Sequence, residues 1–328
     1  MTTFFLNRLA TEPHALAFAG QSTPWPVALA DQTTDPSLDE ALRGHIAAAN
    51  RLLTPVAADL LATTGRPVDL FGFAPNPARL AAAADATASV EGVALTQLGA
   101  LLDLEHLGYS VAQAKPLAVL GHSQGVLAVH MTRAIEAAGS IEAAGTTLDE
   151  ILAVAALIGA AGTRRVRELG LNPKYGEASP MLSVKGATRA QVEALVARVN
   201  NARGPISIAV TNSDNHHVLS GYPEDLAAFA LEAEREHQHQ AKLREQKLHG
   251  GTVFNPTLEY LEVTLPFHSP LMADAVEQTV AWAGACGFDQ KRTRALAEEV
   301  LLNHVDWNAR VKALFDDADP SKLWIVDL

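Results

Sequence analysis

The 328-residue chain is poor in several features that would point to particular protein classes. It has a single cysteine, Cys286, which excludes an internal disulfide framework and fits a reducing compartment, so we expect a cytoplasmic protein. Basic residues number 25 against 37 acidic ones, and the net charge of -12 argues against general binding to nucleic acid or to a membrane surface. Residues 1–13 lack the sustained apolar core of a signal peptide.

Long hydrophobic runs and metal-ligand patterns are missing as well. The longest apolar run, residues 151–162, is too short to span a bilayer and predicts a buried helix. Of the twelve histidines, His237 and His239 are two apart in a helical stretch, so they face different directions. His216 and His217 are adjacent and would point to opposite faces of a strand. We therefore predict no metal site.

The most informative segment that is present is residues 116–129, PLAVLGHSQGVLAV. A short apolar run enters GHSQG and a helical pattern leaves it, which predicts a strand, a sharp turn with Ser123 at its apex, and a helix. Gly121 and Gly125 permit the tight turn, which would expose the hydroxyl at a helix N-terminus. The alternative is a structural turn that merely contains a serine.

The rest of the chain predicts an α/β protein in two units. A first strand at residues 14–20 is followed by helices at 38–61, 80–85, 93–109, 126–138 and 148–169. After residue 172 the pattern becomes β-α-β-β-α-β, with strands at 181–186, 206–211, 218–221 and 260–265 and helices at 188–200 and 223–242. We predict an α/β-hydrolase-like catalytic subdomain (1–176 and 266–328) with an inserted ferredoxin-like subdomain (177–265). The strand-like end at residues 322–328 predicts a fragment of a longer chain.

A serine hydroxyl needs a base within hydrogen-bond reach. His268 is the candidate, because it follows a predicted strand in LPFHSP, where two prolines would hold the imidazole in place. Taken alone, those residues favour a histidine in a structural turn. An oxyanion hole also requires two backbone N–H groups, for which Gln124 starts the helix after the turn and Gly20-Gln21 ends the first strand.

Together these motifs resemble the acyl-CoA:acyl-carrier-protein transacylases of fatty acid and polyketide synthesis. The resemblance rests on four segments in the family's order: residues 20–21 (GQ), 121–125 (GHSQG), 266–269 (PFHS) and 303–307 (NHVDW). The segments GHSQGVL, LIGAAG and GGTVF resemble most the acetyltransferase domain of multienzyme (type I) fatty acid synthases of the bacterial kind.

The resemblance implies a ping-pong acetyl transfer. Ser123 would be the nucleophile and His268 the base, the N–H groups of Gln21 and Gln124 would form the oxyanion hole, and the Asn303 carbonyl would support the histidine. Acetyl-CoA would be a substrate, not a bound cofactor. The partners would be an acyl carrier protein, through its phosphopantetheine arm, and other fatty acid synthase domains.

The resemblance also implies a preference among acyl groups. Ile158 and His122 would contact substrate, and Ile158 stands where malonyl-specific members place an arginine, so an uncharged acetyl group is expected. If the segment around Gly139–Gly145 is an unusually long loop, Arg164 or Arg165 would take that position instead. That would give a malonyl or palmitoyl transferase.

Two further alternatives remain open. A serine thioesterase or esterase would carry a third acid, for which Asp214 or Asp225 can be nominated, although both fit turn or helix-start roles. A non-catalytic scaffolding domain of a large synthase is the other alternative. The presence of both Ser123 and His268 argues against it.

Overall fold

A computed structural model describes residues 8–9, 11–20, 24–65, 86–171, 179–199, 205–247 and 253–328. Within them the strands are β1 (His14–Phe18), β2 (Ala118–Gly121), β3 (Met181–Lys185), β4 (Ser207–Ser213), β5 (His216–Ser220), β6 (Thr257–Tyr260), β7 (Val305–Asp306) and β8 (Trp324–Asp327). The helices are α1 (Trp25–Gln32), α2 (Pro36–Leu52), α3 (Ala57–Thr64), α4 (Ala86–His106), α5 (Val111–Ala114), α6 (Val126–Ala138), α7 (Ile141–Glu168), α8 (Arg189–Val199), α9 (Pro223–Glu245), α10 (Ala273–Ala285), α11 (Gln290–Leu301) and α12 (Trp307–Asp317).

The larger body is built around a parallel sheet in the order β2-β1-β8. All five residues of β1 are buried, as expected for a central strand of a parallel sheet. In the register of β1 and β2, Phe18 lies opposite Gly121, so the two strands end at the same edge. That edge carries the turn around Ser123.

The second sheet has the order β6-β3-β5-β4-β7. Its first four strands pair antiparallel, and β7 joins β4 in parallel. The chain order β3-α8-β4-β5-α9-β6 is the predicted β-α-β-β-α-β order. The predicted last strand at residues 260–265 was wrong, because β6 ends at Tyr260 and Leu265 instead packs against Gly162 of α7.

Helix α7 runs through the core of the larger body. Residues 151–162 are buried along its whole circumference, as predicted for this apolar run. The helix is long and apolar enough to cross a membrane by length and composition, but 67% of its most apolar stretch is buried inside the protein. It begins at Ile141, where Ser140 accepts a hydrogen bond from the Ala143 N–H. The suggested long loop at Gly139–Gly145 was therefore wrong.

Two further predicted helices differ in extent from those in the structure. The helix predicted at 38–61 is two helices, because Pro55 has no N–H to donate and residues Thr54–Val56 form a 3₁₀ turn. The helix predicted at 93–109 begins earlier, at Ala86. Its first turns are buried on every side, so they lack the periodicity that marks a half-buried helix. The predicted helix at 80–85 lies outside the described residues.

Candidate active site

The turn around Ser123 has the predicted strand–turn–helix form. Strand β2 ends at Gly121, Ser123–Gly125 form a single 3₁₀ turn, and α6 begins at Val126. The flanking glycines are required by close approach of backbone. A Cβ atom at Gly121 would lie 2.5 Å from the Gly125 carbonyl carbon, and one at Gly125 would overlap the carbonyl oxygen of Phe18.

The structure brings Ser123 and His268 together across 145 residues of sequence. Their Oγ and Nε2 atoms are 2.8 Å apart, so the hydroxyl can donate to the imidazole. On its other side, His268 donates from Nδ1 to the Asn303 carbonyl oxygen at 2.8 Å. The Asn303 contact fixes the tautomer that leaves Nε2 free to accept a proton.

Burial sets the protonation state of this histidine. The His268 side chain is 2% exposed, and its desolvation lowers the pKa to about 4, although the Asn303 hydrogen bond opposes the shift. The imidazole is therefore neutral at neutral pH. A neutral imidazole is the form that can take the Ser123 proton.

Both residues of the pair have left-handed backbone conformations. The φ angle is 53° at Ser123 and 55° at His268. Residues with side chains adopt this region at a cost of about 1–3 kcal/mol, and such strain concentrates at functional sites. Of the two other non-glycine residues with positive φ in the described part of the chain, Lys115 caps α5 and Lys247 follows α9.

His122 is turned toward the five-stranded sheet. Its Nε2 donates to the Asn212 Oδ1 of β4 at 2.7 Å, and its ring meets Trp307 edge to face with centroids 5.2 Å apart. Burial lowers the pKa of His122 more than the Asn212 hydrogen bond raises it. The His122 ring thus contacts Asn212 and Trp307. Its contact with substrate stays a prediction.

The structure describes one of the two residues predicted to form the oxyanion hole, Gln124. Gln124 is buried in the turn directly after Ser123, where α6 begins. Gln21 lies outside the described residues. Its neighbour Gly20 abuts the turn: a Cβ atom there would lie 2.8 Å from the His122 oxygen and 2.9 Å from the Ser123 Cβ. The end of β1 and the serine turn are thus in contact.

Residues that the sequence interpretation missed support this arrangement. Gln97 of α4 donates from Nε2 to the Ala19 carbonyl at 2.7 Å, which holds the loop after β1. Arg310 of α12 donates from Nη1 to the Gly121 carbonyl at 2.8 Å, at the end of β2. No local motif signals either contact, because each spans a large separation in sequence.

The residues proposed to select the acyl group lie on α7. Ile158 is fully buried in the core of the larger body. Arg164 donates to Glu168 and Gln278, and Arg165 donates to the Leu271 carbonyl and pairs with Asp274. Both arginines are therefore engaged with other protein groups. In the described part of the chain, no group of three or more histidine, cysteine or acidic side chains is placed to hold a metal ion.

Comparison with known proteins finds similarity to fatty acid synthases. A sequence profile described as the fatty acid synthase central AT domain matches residues 180–260. The chain is 30% identical over 168 residues to fatty acid synthase 2 of Mycosarcoma maydis, covering 48% of this chain and 4% of that protein. The chain is therefore similar to part of a fatty acid synthase. It spans only a small part of the length of that relative.

Two solved structures share the fold of this chain. An acyl carrier protein S-malonyltransferase from Vibrio cholerae superposes with a TM-score of 0.62 at 14% identity, covering 96% of each chain. A malonyl-transacylase solved in complex with its type II polyketide acyl-carrier protein gives 0.64 at 14% identity, again with 96% of each chain covered. At these identities the transacylase fold is what the two structures share with this chain.

Proposed function

We propose that this chain transfers an acyl group from a coenzyme A thioester, through Ser123, to the phosphopantetheine thiol of an acyl carrier protein. The observation that carries the proposal is the relay from the Ser123 hydroxyl to His268 and on to the Asn303 carbonyl, built on two left-handed residues. The complex of a related malonyl-transacylase with its carrier protein supports the choice of acceptor.

The reaction has two steps, acylation of Ser123 and transfer of the acyl group to the carrier thiol. His268 Nε2 takes the Ser123 proton while Oγ attacks the thioester carbonyl; the C–S bond breaks, and the proton leaves with the coenzyme A sulfur. The acyl-serine is then attacked by the carrier thiol, and the same proton path returns Ser123 to its hydroxyl. The N–H groups of Gln124 and Gln21 would hold the oxyanion in both steps. No metal or permanently bound cofactor takes part.

The acyl group we propose is acetyl, so that the transfer would prime fatty acid synthesis. Ile158 supports this choice, because an aliphatic side chain in a buried position cannot neutralise a malonyl carboxylate. The contacts of Arg164 and Arg165 support it further, since each guanidinium is already held by other groups. An unpaired buried carboxylate costs several kcal/mol, so acetyl should be preferred by about 10²-fold or more.

The setting of the domain is also a proposal. The similarity to a much longer fatty acid synthase supports other synthase domains as partners. The single cysteine fits the reducing cytoplasm, where we place the domain. The strand order β6-β3-β5-β4 supports a ferredoxin-like subdomain at 177–265. Residues 1–176 and 266–328 would then form the α/β-hydrolase-like catalytic subdomain.

A hydrolase is less well supported than a transferase. The Nδ1 of His268 is held by a backbone carbonyl and not by a carboxylate. Of the two acids considered for a third catalytic position, Asp214 binds Asn308 and Lys312 on the surface, and Asp225 lies in the first turn of α9. The place beside His268 Nδ1 that the acid of a triad would occupy is taken by the Asn303 carbonyl.

The test is the intact mass of the protein after separate incubations with acetyl-CoA and malonyl-CoA. One acetyl group should appear on the peptide containing Ser123, and Ser123→Ala should remain unlabelled. Addition of a holo carrier protein, but not of the apo form, should then clear the label. Label that persists in Ser123→Ala would contradict the nucleophile, equal malonyl loading would contradict acetyl selection, and rapid loss of label to water would indicate a thioesterase.

A further inference from the structure

The end of strand β4, in the five-stranded sheet, contacts His122 beside the nucleophile and His304 beside the residue that supports His268. Asn212 accepts a hydrogen bond from the residue directly before the nucleophile, His122, at 2.7 Å. Its neighbour Thr211 forms a hydrogen bond of 3.0 Å between its Oγ1 and the Nε2 of His304. These contacts bridge 90 and 93 residues of sequence.

The first contact acts on the serine turn. His122 has little room, because its ring meets Trp307 and its own carbonyl oxygen abuts Gly20. Its hydrogen bond to Asn212 fixes the remaining rotation of the ring. Because His122 is joined to Ser123 by the backbone, we expect a change in the position of His122 to displace the serine Oγ.

The second contact acts on the histidine. His304 follows Asn303, whose carbonyl oxygen accepts from His268 Nδ1. The next two residues form β7, which pairs in parallel with β4 so that Val210 lies opposite Val305. The segment that orients the imidazole is therefore fastened to β4 by backbone pairing and by the Thr211 side chain.

We propose that Thr211 and Asn212 are positioning residues that hold Ser123 and His268 in register from a single strand, β4. This proposal rests on the proposed function for its purpose, but its geometry concerns only the reactivity of the serine. A misplacement of about 1 Å between reacting groups can cost about 10²-fold in rate. Loss of either contact should therefore slow the attack by Ser123 more than it weakens substrate binding.

The test uses Asn212→Leu and Thr211→Val, which keep the shape of each side chain and remove its hydrogen bond. The conservative variants are Asn212→Asp and Thr211→Ser, which keep an acceptor or a hydroxyl at the same place. Ser213→Ala is the matched control, because Ser213 lies on the same strand but its hydroxyl bonds only Asn215 in the turn.

Two reactions are followed at Ser123 by mass under single-turnover conditions. A fluorophosphonate reports how reactive the serine is without any thioester chemistry, and acetyl-CoA reports acyl transfer. For both reagents, the maximal rate should fall about 10- to 100-fold in Asn212→Leu and Thr211→Val, with the half-saturating concentration changed less than about threefold. Asn212→Asp, Thr211→Ser and Ser213→Ala should stay within about threefold of the parent chain.

The outcomes separate the two proposals. An unchanged fluorophosphonate rate in both Asn212→Leu and Thr211→Val would overturn the positioning role. A raised half-saturating concentration with an unchanged maximal rate would overturn it too, because it would place these side chains on the substrate. If the parent chain reacts with fluorophosphonate but with no acyl-CoA, the proposed function fails while the fluorophosphonate series still decides the positioning role.

Discussion

Acylation of Ser123 should be nearly independent of pH in a range where an ordinary histidine would lose its activity. Only the neutral form of His268 can accept the serine proton, and burial lowers its pKa from 6.5 to about 4. Between about pH 7.5 and 5.5, the neutral fraction of a histidine with a pKa of 6.5 falls about tenfold. For His268 the same change lowers the neutral fraction by only a few per cent or so.

The assay is single-turnover acylation by an acetyl thioester of N-acetylcysteamine. Coenzyme A is unsuitable, because its phosphate has a second pKa near 6 and would titrate in the same window. We expect rates at the two pH values to agree within about twofold. A tenfold loss in the folded protein, with a midpoint near 6.5, would refute the argument that desolvation controls this base.

The same pKa shift has a consequence for stability, and its sign follows from proton binding. The unfolded chain binds a proton at His268 with a pKa near 6.5, whereas the folded chain resists protonation until about 4. Titration of His268 therefore leaves the free energy of unfolding unchanged above about pH 6.5 and lowers it as the pH drops toward 4. The free energy of unfolding falls by about 1 kcal/mol at pH 5.5 and by about 3 kcal/mol in total. Urea unfolding of His268→Gln should show a weaker pH dependence in this window.

The remaining predictions concern packing, helix ends and the acyl pocket. Gly125→Ala should destabilise the fold by about 1 kcal/mol or more and abolish acylation, because its methyl group would overlap the Phe18 carbonyl. Gly145→Ala should instead stabilise the fold by about 1 kcal/mol, because its methyl group would lie in open space on α7. Equal Tm values for the two variants would contradict this pair of predictions. Asp289→Ala should cost about 1 kcal/mol in urea unfolding through loss of the N-cap of α11. Ile158→Arg should lower the Tm but narrow the preference for acetyl over malonyl in loading rates; an unchanged ratio in the folded variant would remove Ile158 from the pocket.

Features that depend on neighbours in sequence could be predicted from the sequence. The serine turn is one, because two glycines, a preceding apolar run and a following helical pattern all act within ten residues. The cap of α8 is another. Thr188 and Gln191, three residues apart, have the spacing of a capping box, and their hydrogen bonds satisfy N–H groups that the first helical turn leaves unpaired.

Features that combine distant segments could not be read in this way. Residues 265–270 alone favour a structural turn, and only the resemblance to the transacylase family made His268 the candidate base. Its contact with Ser123 exists because the loop before α10 meets the end of β2 at one edge of the three-stranded sheet. The contacts of Asn212 with His122 and of Thr211 with His304 likewise join separate elements.

The protonation state of the site was decided by tertiary structure as well. A histidine in isolation titrates near 6.5, and nothing in the residues beside His268 changes that value. The shift toward 4 arises because the folded chain removes water from the imidazole while supplying a single backbone acceptor, the Asn303 carbonyl. Local sequence determines which groups are present and how the nearest backbone turns. Desolvation and hydrogen bonding between distant segments decide their reactivity, because both depend on which surfaces the whole chain buries together.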